Sequence, residues 1–211
     1  MAITFLSANG IISHSSGNAI KKGDIMYEII WHGRGGQGVV IAAQILAESA
    51  YLQGFMGVTS APTFGPERRG APLTASTRIA DTAIRTFSQI SKADIAVVLD
   101  PSLLEVVDIA GSLKPGGLLI INTSKKASEL GIKGNIATLD AAAVAIRFHL
   151  FKEGAPIVNT PMLGVFAKAT GLVSLESMEK GLKWKISGTA ATTNIAALRA
   201  AIEETNTNSN Q

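Results

Sequence analysis

The feature that most constrains the fold of this chain is a glycine-rich loop between an apolar segment and a helical one. The loop spans 33–38 and follows the apolar run 27–32. Residues 39–53 after it carry apolar side chains three and four positions apart, which is the spacing of one helix face. A strand, a glycine loop and a helix in this order are typical of the start of an α/β domain.

The rest of the chain continues this alternation of strands and helices. The run 94–100 is apolar and β-branched, as expected for a strand that is covered on both faces. Asp140 predicts the N-cap of an alanine-rich helix, and Thr160 before Pro161 predicts another N-cap after a short strand at 157–159. We therefore predict an α/β fold with a single doubly wound, mostly parallel sheet and helices on both faces, as in Rossmann-like domains.

Changes in composition divide the chain into three parts. Residues 26–204 carry the regular pattern and form the predicted α/β domain. Residues 1–25 are rich in Ser, Gly, Asn and Ile without a clear period, so we predict an N-terminal extension that the core does not need. The alternative is sequence upstream of a natural start at Met26. Residues 205–211 are predicted to form a polar tail.

The composition argues against several classes of function. The chain has no cysteine and three scattered histidines, which argues against iron–sulfur clusters, cysteine nucleophiles and metal sites on this chain. A net charge of +3 and an aromatic content of 5% predict no nucleic-acid partner. The sequence contains no run of 18 apolar residues and no signal peptide, so we predict no membrane partner and a cytoplasmic location.

The first glycine loop suggests a phosphate site, because Gly33, Gly35 and Gly38 have the spacing of the dinucleotide-binding fingerprint. A helix that begins beside such a loop presents backbone N–H groups and its positive dipole end to an anion. An NAD site also needs an acidic residue about 20 positions further on, and 49–66 contains none. Three interpretations remain: a dinucleotide site, a tight structural turn, or contact with another phosphate-bearing group or a partner chain.

A second loop, rich in glycine and proline, spans 64–72 and contains Glu67, Arg68 and Arg69. The prolines stiffen the loop, and arginine offers a planar fork that suits phosphate or carboxylate groups. The alternative interpretation is a solvated loop with an internal Glu–Arg pair.

Both loops, together with later motifs, resemble the gamma subunit of pyruvate (2-oxoacid):ferredoxin oxidoreductases. The motifs that carry the resemblance are GRGGQG at 33–38, FGPERRGAP at 64–72, RI at 78–79, IR at 84–85, VLDP at 98–101 and NTPMLG at 159–164. The resemblance extends from about Met26 to Glu204, and several ordered motifs make it more specific than one glycine loop. Residues 1–25 depart from the pattern, since family members usually begin close to the first strand.

The resemblance implies a subunit of an enzyme that oxidatively decarboxylates a 2-oxoacid with coenzyme A, giving acyl-CoA, carbon dioxide and reduced ferredoxin. Pyruvate is the expected substrate, and 2-oxoisovalerate and other branched-chain 2-oxoacids are the alternative. The resemblance implies thiamine diphosphate on the alpha and beta subunits, 4Fe–4S clusters on the beta and delta subunits, and no redox cofactor on this chain. The implied partners are the alpha, beta and delta subunits, with ferredoxin as acceptor, and a homodimer is a further expectation for the isolated chain.

Our hypothesis for the site is a wall that binds the phosphate groups of coenzyme A and docks on the thiamine-bearing subunits. Asn159 and Thr160 are included because they lie at a predicted strand-to-helix corner, although helix capping explains them equally well. Asp100 is interpreted as an N-cap rather than as a ligand-orienting group. We predict no catalytic residue, and the predicted binding residues are Gly33, Arg34, Gly35, Gly36, Gln37, Gly38, Glu67, Arg68, Arg69, Asn159 and Thr160.

Two rival functions remain open from the sequence. One is an interaction subunit without a ligand site, in which the glycine loops allow chains to approach closely and Arg68 and Arg69 form ion pairs between subunits. The other is a free-standing nucleotide-dependent dehydrogenase, which the missing acidic residue in 49–66 disfavours.

Overall fold

The computed structural model describes residues 2–4, 13–15, 25–62 and 70–208. The strands are, in chain order, Ala2–Thr4 (β1), Ser13–Ser15 (β2), Met26–Arg34 (β3), Gly57–Pro62 (β4), Pro72–Ala80 (β5), Ala93–Val98 (β6), Leu113–Asn122 (β7), Asn135–Leu139 (β8), Phe151–Lys152 (β9), Ala155–Pro156 (β10) and Asn206–Asn208 (β11). The α-helices are Val39–Gln53 (α1), Ala141–Arg147 (α2), Asn159–Thr170 (α3), Leu175–Lys185 (α4) and Gly188–Glu204 (α5). Short 3-10 helices lie at Pro101–Glu105, Ala110–Ser112 and Ala127–Glu129.

Seven of these strands form one sheet in the order β11-β8-β7-β6-β3-β5-β4. Strands β3, β6, β7 and β8 pair in parallel. Strand β5 pairs antiparallel with both β3 and β4, so β4 runs in the same direction as β3 but is separated from it by β5. At the other edge β11 is antiparallel to β8. The prediction of an α/β fold with a mostly parallel sheet is therefore confirmed.

The two faces of this sheet are covered by different kinds of helix. Ile29 and Trp31 of β3 belong to the core on which all five α-helices pack, and the Trp31 ring stacks on Phe166 of α3 with centroids 6.1 Å apart. On the opposite face Val98 packs in a smaller cluster with Leu103, which comes from the first of the 3-10 helices. Helices thus lie on both faces, as predicted, but the five α-helices pack on one face and the second face carries the 3-10 helix Pro101–Glu105.

Of two helix starts that the sequence predicts, the structure confirms the one at Asp140 and contradicts the one at Thr160. The Asp140 side chain caps α2 as predicted, because its Oδ1 accepts the Ala143 N–H at 2.8 Å. The predicted strand at 157–159 and N-cap at Thr160 are wrong, since α3 already begins at Asn159. A short apolar run is ambiguous between a strand and the approach to a buried helix, and here burial of the whole first turn favours the helix.

The parallel strands direct their carboxyl ends to one edge of the sheet. There β3 runs into the glycine loop, β6 is followed by Asp100, and β7 ends at Asn122. The Asn122 side chain joins two of these ends, since it donates to the Leu99 carbonyl and accepts the Ala141 N–H, both at 2.9 Å. This edge is where ligands bind in open α/β sheets.

A charge network stabilises the opposite end of the same strands. Arg78 Nε donates to Glu28 Oε1 at 3.1 Å, and Lys114 Nζ lies 3.1 Å from Glu28 Oε2 and 2.9 Å from Asp94 Oδ2. Asp94 Oδ2 also accepts the Glu28 N–H at 2.8 Å. Arg78 and Asp94 are almost fully buried, so each charge depends on its partners for the solvation it has lost.

We predict that Asp94→Ala lowers the free energy of unfolding by about 2–4 kcal/mol, because the Lys114 ammonium and the Glu28 N–H lose a buried acceptor. Urea unfolding of the purified chain measures the loss. The control is Glu176→Ala, which breaks the exposed Glu176–Lys180 pair of 2.7 Å on α4 and should cost clearly less. Equal losses in the two variants would contradict a stabilising role for the network.

Candidate functional site

The glycine loop at 33–38 turns tightly because two of its glycines stand where a side chain does not fit. A Cβ on Gly33 would lie 2.5 Å from Val39 Cγ2. Gly38 has a φ of 80°, and a Cβ there would lie 2.6 Å from Asn159 Nδ2. Gly36 also has a positive φ, 97°, but a Cβ on it would meet no described atom within 4 Å. Gly33 and Gly38 thus serve packing, whereas Gly36 faces open space.

Helix α1 begins directly behind this loop, with Gly38 as its N-cap residue. The Gly38 carbonyl accepts the Ala42 N–H at 2.9 Å, which is the first hydrogen bond of the helix. Glycine has no side chain that could cap the N–H groups of the first turn, and these groups have no acceptor within a helix. The amino end of α1 therefore presents N–H donors and positive potential beside the loop.

Asp100 is the central acceptor of a hydrogen-bond network around the loop. Its Oδ2 accepts Arg34 Nε and Gln37 Nε2, each at 3.1 Å. Its Oδ1 accepts the backbone N–H of Ser102 at 3.1 Å and the Ser102 hydroxyl at 2.6 Å. The Gln37 amide oxygen accepts the backbone N–H of Arg34 at 2.7 Å, so the Gln37 side chain joins the loop to Asp100.

The surroundings of Asp100 favour its charged form. Burial alone acts to raise the pKa of its carboxyl group. The hydrogen bonds from Ser102 and Gln37 and the positive charge of Arg34 outweigh burial, so the pKa of Asp100 lies below its usual value. The carboxylate is therefore ionised at neutral pH, and Asp100 and Arg34 form an ion pair that is partly buried.

The two glycine loops of the sequence meet at this network. The Gly35 N–H donates to the Ala71 carbonyl at 3.0 Å, and the Gly70 N–H donates to the Gly35 carbonyl at 3.2 Å. Arg34 Nη1 adds a hydrogen bond of 3.1 Å to the Gly70 carbonyl, and its Nη2 donates to Ser102 Oγ at 2.8 Å. The end of the second loop is thereby fixed against the first.

Asn159 and Thr160, at the start of α3, lie beside the same loop. The Asn159 Nδ2 is 3.5 Å from the Gly38 carbonyl, a long contact, and its Oδ1 accepts the Thr160 N–H at 2.8 Å. The Thr160 hydroxyl is fully buried and donates to Asn194 Oδ1 at 2.7 Å. Asn159 thus borders the loop, whereas the hydroxyl of Thr160 is used within the core.

The structure brings together most of the residues that the sequence predicted for the site. Loop 33–38 and Asn159 lie at one edge, and Glu67, Arg68 and Arg69 fall outside the described residues. Sequence reasoning did not include Ser102, and it interpreted Asp100 only as an N-cap. The N-cap is confirmed, but the contact between Asp100 and Arg34 joins residues 66 positions apart and has no local signal in the sequence.

Metal binding and membrane insertion find no support in the described part of the chain. Within it, no group of three or more His, Cys, Asp or Glu side chains is arranged to hold a metal ion. None of the helices described is long and apolar enough to cross a membrane.

A cleft of about 750 Å³ lies at the opposite, amino edge of the sheet. It is bordered by Lys92, Lys114 and Lys133 and by the glycines 116, 117 and 134. Two of the lysines are already engaged, Lys92 with the Gly111 carbonyl and Lys114 with the charge network described above. None of the predicted site residues borders this cleft, and we assign no function to it.

His32 precedes the glycine loop on β3 and is only 6% exposed. Its Nε2 is buried and has no hydrogen-bond partner among the described residues. Side chains alternate along a strand, so His32 lies on the same face of the sheet as Arg34, opposite Trp31. Burial lowers the pKa of His32 to about 4, and the imidazole is therefore neutral at neutral pH.

We predict that His32 makes the fold sensitive to acid. As the pH falls below about 6.5, the unfolded chain binds a proton that the folded chain takes up only near pH 4. The wild type should therefore lose about 2–3 kcal/mol more unfolding free energy between pH 7 and pH 4.5 than His32→Asn. Urea unfolding at both pH values measures this, with His149→Asn, at an exposed histidine, as control. The same acid loss in the wild type and His32→Asn would contradict the prediction.

Comparisons with known proteins find relatives that match this chain over most of its length. The family model for pyruvate ferredoxin/flavodoxin oxidoreductase matches residues 28–204. The gamma subunit common to the pyruvate and ketoisovalerate oxidoreductases of Thermococcus litoralis is 49% identical over 185 residues, covering 85% of this chain and 97% of the relative. The pyruvate synthase subunit PorC of Methanothermobacter marburgensis is 45% identical over 179 residues, covering 85% of this chain and 97% of the relative.

A solved structure shows the same fold. The crystal structure of the pyruvate oxidoreductase subunit PORC from Thermotoga maritima superposes with a TM-score of 0.74 at 36% identity, covering 86% of this chain and 98% of that one. The resemblance stated from the sequence motifs is confirmed. With a family model that spans 28–204 and relatives matched over nearly their full length, the chain belongs to the pyruvate ferredoxin/flavodoxin oxidoreductase family, among its gamma subunits.

Proposed function

We propose that this chain, as the gamma subunit of a pyruvate (2-oxoacid):ferredoxin oxidoreductase, binds the phosphate groups of coenzyme A with the loops at the carboxyl edge of its sheet. The complex oxidatively decarboxylates the 2-oxoacid and yields acyl-CoA, carbon dioxide and reduced ferredoxin. The partners are the alpha, beta and delta subunits, in the cytoplasm, with ferredoxin as acceptor. The chain docks on the thiamine-bearing subunits through the same edge.

One observation carries this proposal: the amino end of α1, whose N-cap residue Gly38 provides no capping side chain, opens beside Gly36, where a Cβ would meet no described atom within 4 Å. Backbone N–H groups and the positive helix end suit a phosphate, and the Asn159 amide lies at the border of the same loop. These groups fit the pyrophosphate of coenzyme A in charge and in hydrogen-bond type. The family membership connects this phosphate chemistry with coenzyme A.

The arginines contribute differently to this proposed site. Arg34 is paired with Asp100, so its charge is largely balanced, and its unused N–H groups are what it offers to a ligand. Arg68 and Arg69 supply the additional positive charge, each worth on the order of 1–3 kcal/mol where its contact with phosphate is desolvated.

A dinucleotide is the weaker interpretation of the same loop. The strand that follows α1 is β4, and β5 lies between it and β3 with the opposite direction. In a dinucleotide-binding domain the acidic residue that holds the ribose stands at the end of the strand that follows the first helix, and residues 57–62 of β4 contain no acidic residue. The geometry therefore favours a phosphate ligand that does not need this carboxylate.

The proposal also assigns the redox chemistry to other chains. This chain has no cysteine, and iron–sulfur clusters are held by cysteine thiolates. Thiamine diphosphate belongs to the alpha and beta subunits and the 4Fe–4S clusters to the beta and delta subunits. This chain binds and orients coenzyme A and provides no catalytic residue.

Pyruvate is the proposed substrate of the complex, and 2-oxoisovalerate is the alternative. The relative from Thermococcus litoralis is named for both the pyruvate and the ketoisovalerate enzyme. A gamma subunit that contacts coenzyme A needs no feature that distinguishes the two acids. A purely structural interaction subunit is the second candidate function, because the hydrogen bonds that fix Gly35 against Gly70 and Ala71 would equally shape a docking surface.

We predict that Gly36→Asp raises the apparent KM for coenzyme A about tenfold over Gly36→Asn in the assembled complex. Both residues tolerate a positive φ and have the same size, so the two variants differ in one negative charge beside the proposed phosphate site. Steady-state kinetics with coenzyme A as the varied substrate measure the ratio, and kcat at saturating coenzyme A should stay the same.

The comparison of these two variants also tests the structural alternative. Gly36→Asn controls for the strain of a side chain at this φ, and size-exclusion chromatography checks that both complexes assemble. Equal KM values for coenzyme A in two assembled complexes would favour the interaction subunit without a ligand site.

We predict a second effect from the other loop. The double variant Arg68→Ala with Arg69→Ala should raise the apparent KM for coenzyme A at least tenfold, since two phosphate contacts are lost. The rise should shrink at high salt, because screening already weakens these contacts in the wild type. If assembly and the KM both stay unchanged, the second loop plays no part in binding.

A further inference from the structure

The Asp100 carboxylate accepts four hydrogen bonds, two at each of its oxygen atoms. Arg34 Nε and Gln37 Nε2 face its Oδ2, and the N–H and hydroxyl of Ser102 face its Oδ1. An ionised carboxylate is the side chain that offers acceptors at both oxygens. The position therefore requires more than a helix cap, which needs the contact at Oδ1 alone.

The Oδ2 half of this carboxylate acts on the loop through Arg34. With Nε fixed by Asp100, the guanidinium plane is oriented so that Nη1 reaches the Gly70 carbonyl and Nη2 reaches Ser102 Oγ. Guanidinium groups bind through a rigid planar fork, so one fixed corner determines the direction of the others. Gly70 is in turn bonded to the carbonyl of Gly35.

We propose that Asp100 is a positioning residue for coenzyme A: it orients Arg34, which holds Gly70 and Gly35 and so sets the junction of the two glycine loops. Asp100 itself touches no substrate. This inference rests on the proposed function, since it names a residue that determines the affinity of the same site. It assigns Asp100 a role in binding that differs from capping the 3-10 helix at Pro101–Glu105.

One substitution separates the two roles of Asp100. In Asp100→Asn the amide oxygen at Oδ1 still accepts from Ser102, and asparagine caps helices as well as aspartate does. The new amide NH₂ replaces Oδ2 and faces two donors, so the contacts with Arg34 and Gln37 are lost. The cap survives, and the orientation of Arg34 does not.

We predict that Asp100→Asn raises the apparent KM for coenzyme A about tenfold in the assembled complex. The kcat at saturating coenzyme A and the KM for the 2-oxoacid should stay within twofold of the wild type. The matched control is Asp140→Asn, the same exchange at the N-cap of α2 on the same edge of the sheet, which should leave all three parameters unchanged.

A double-mutant cycle with Arg34→Lys tests whether Asp100 acts through Arg34. Lysine keeps the charge but cannot hold Asp100, Gly70 and Ser102 together. If Asp100 acts through Arg34, the double variant should raise the KM no more than the larger single change does. Additive effects on the KM would overturn the inference. If Asp100→Asn prevents assembly, the single variant Arg34→Lys still tests the inference. It should raise the KM for coenzyme A and leave the KM for the 2-oxoacid unchanged. An unchanged KM for coenzyme A would overturn the inference.

The outcomes distinguish this inference from the proposed function. If Gly36→Asp raises the KM for coenzyme A but Asp100→Asn does not, the positioning role is wrong and the binding site stands. If neither variant changes the KM, the proposed function itself fails. If Asp140→Asn raises the KM for coenzyme A as much as Asp100→Asn does, both exchanges act by loosening this edge in general, and the positioning role of Asp100 is wrong.

Discussion

The carboxyl edge of the sheet depends on the close approach of three backbone segments at the first glycine loop. Val39 packs onto Gly33 and Asn159 onto Gly38 at distances that leave no room for a Cβ. This approach brings the end of β3, the start of α1 and the start of α3 into one place. Protein interiors are close-packed, so a side chain at Gly33 would displace the short side chain of Val39, and one at Gly38 would displace Asn159 and be strained by the positive φ.

The position of β5 in the sheet determines which chain segments border the first glycine loop. An antiparallel strand between β3 and β4 moves the strand that follows α1 away from the glycine loop. A Rossmann domain uses that strand for ribose recognition. Here the space beside the loop is occupied by Gly70 and Ala71, which enter β5. The turn between β3 and α1 is thus bordered by a loop at the place where a Rossmann domain has a strand end.

Local patterns in the sequence were sufficient for most elements and insufficient for the contacts between them. Asp140 was identified as an N-cap because the capping signal lies within four residues. The α3 start at Asn159 was missed, since a short apolar run fits a strand and a helix equally well. The segment 114–117 has the proline and glycines that are typical of a turn, yet it belongs to β7, where a shift of register against β6 accommodates these residues. The pairing of Arg34 with Asp100 depends on strand order, which no local pattern encodes.

The hydrogen bonds that join Gly35 to Gly70 and Ala71 have a consequence for the thermodynamics of association. Ordering a flexible loop on binding costs about 0.5–1.5 kcal/mol for each side chain that becomes fixed. At this edge the backbone is already held in place by Arg34, Gln37 and Asp100 before any ligand arrives. A ligand that bound at this edge would meet a backbone that is already ordered, so the free energy of its contacts would appear as affinity instead of being consumed in ordering the protein.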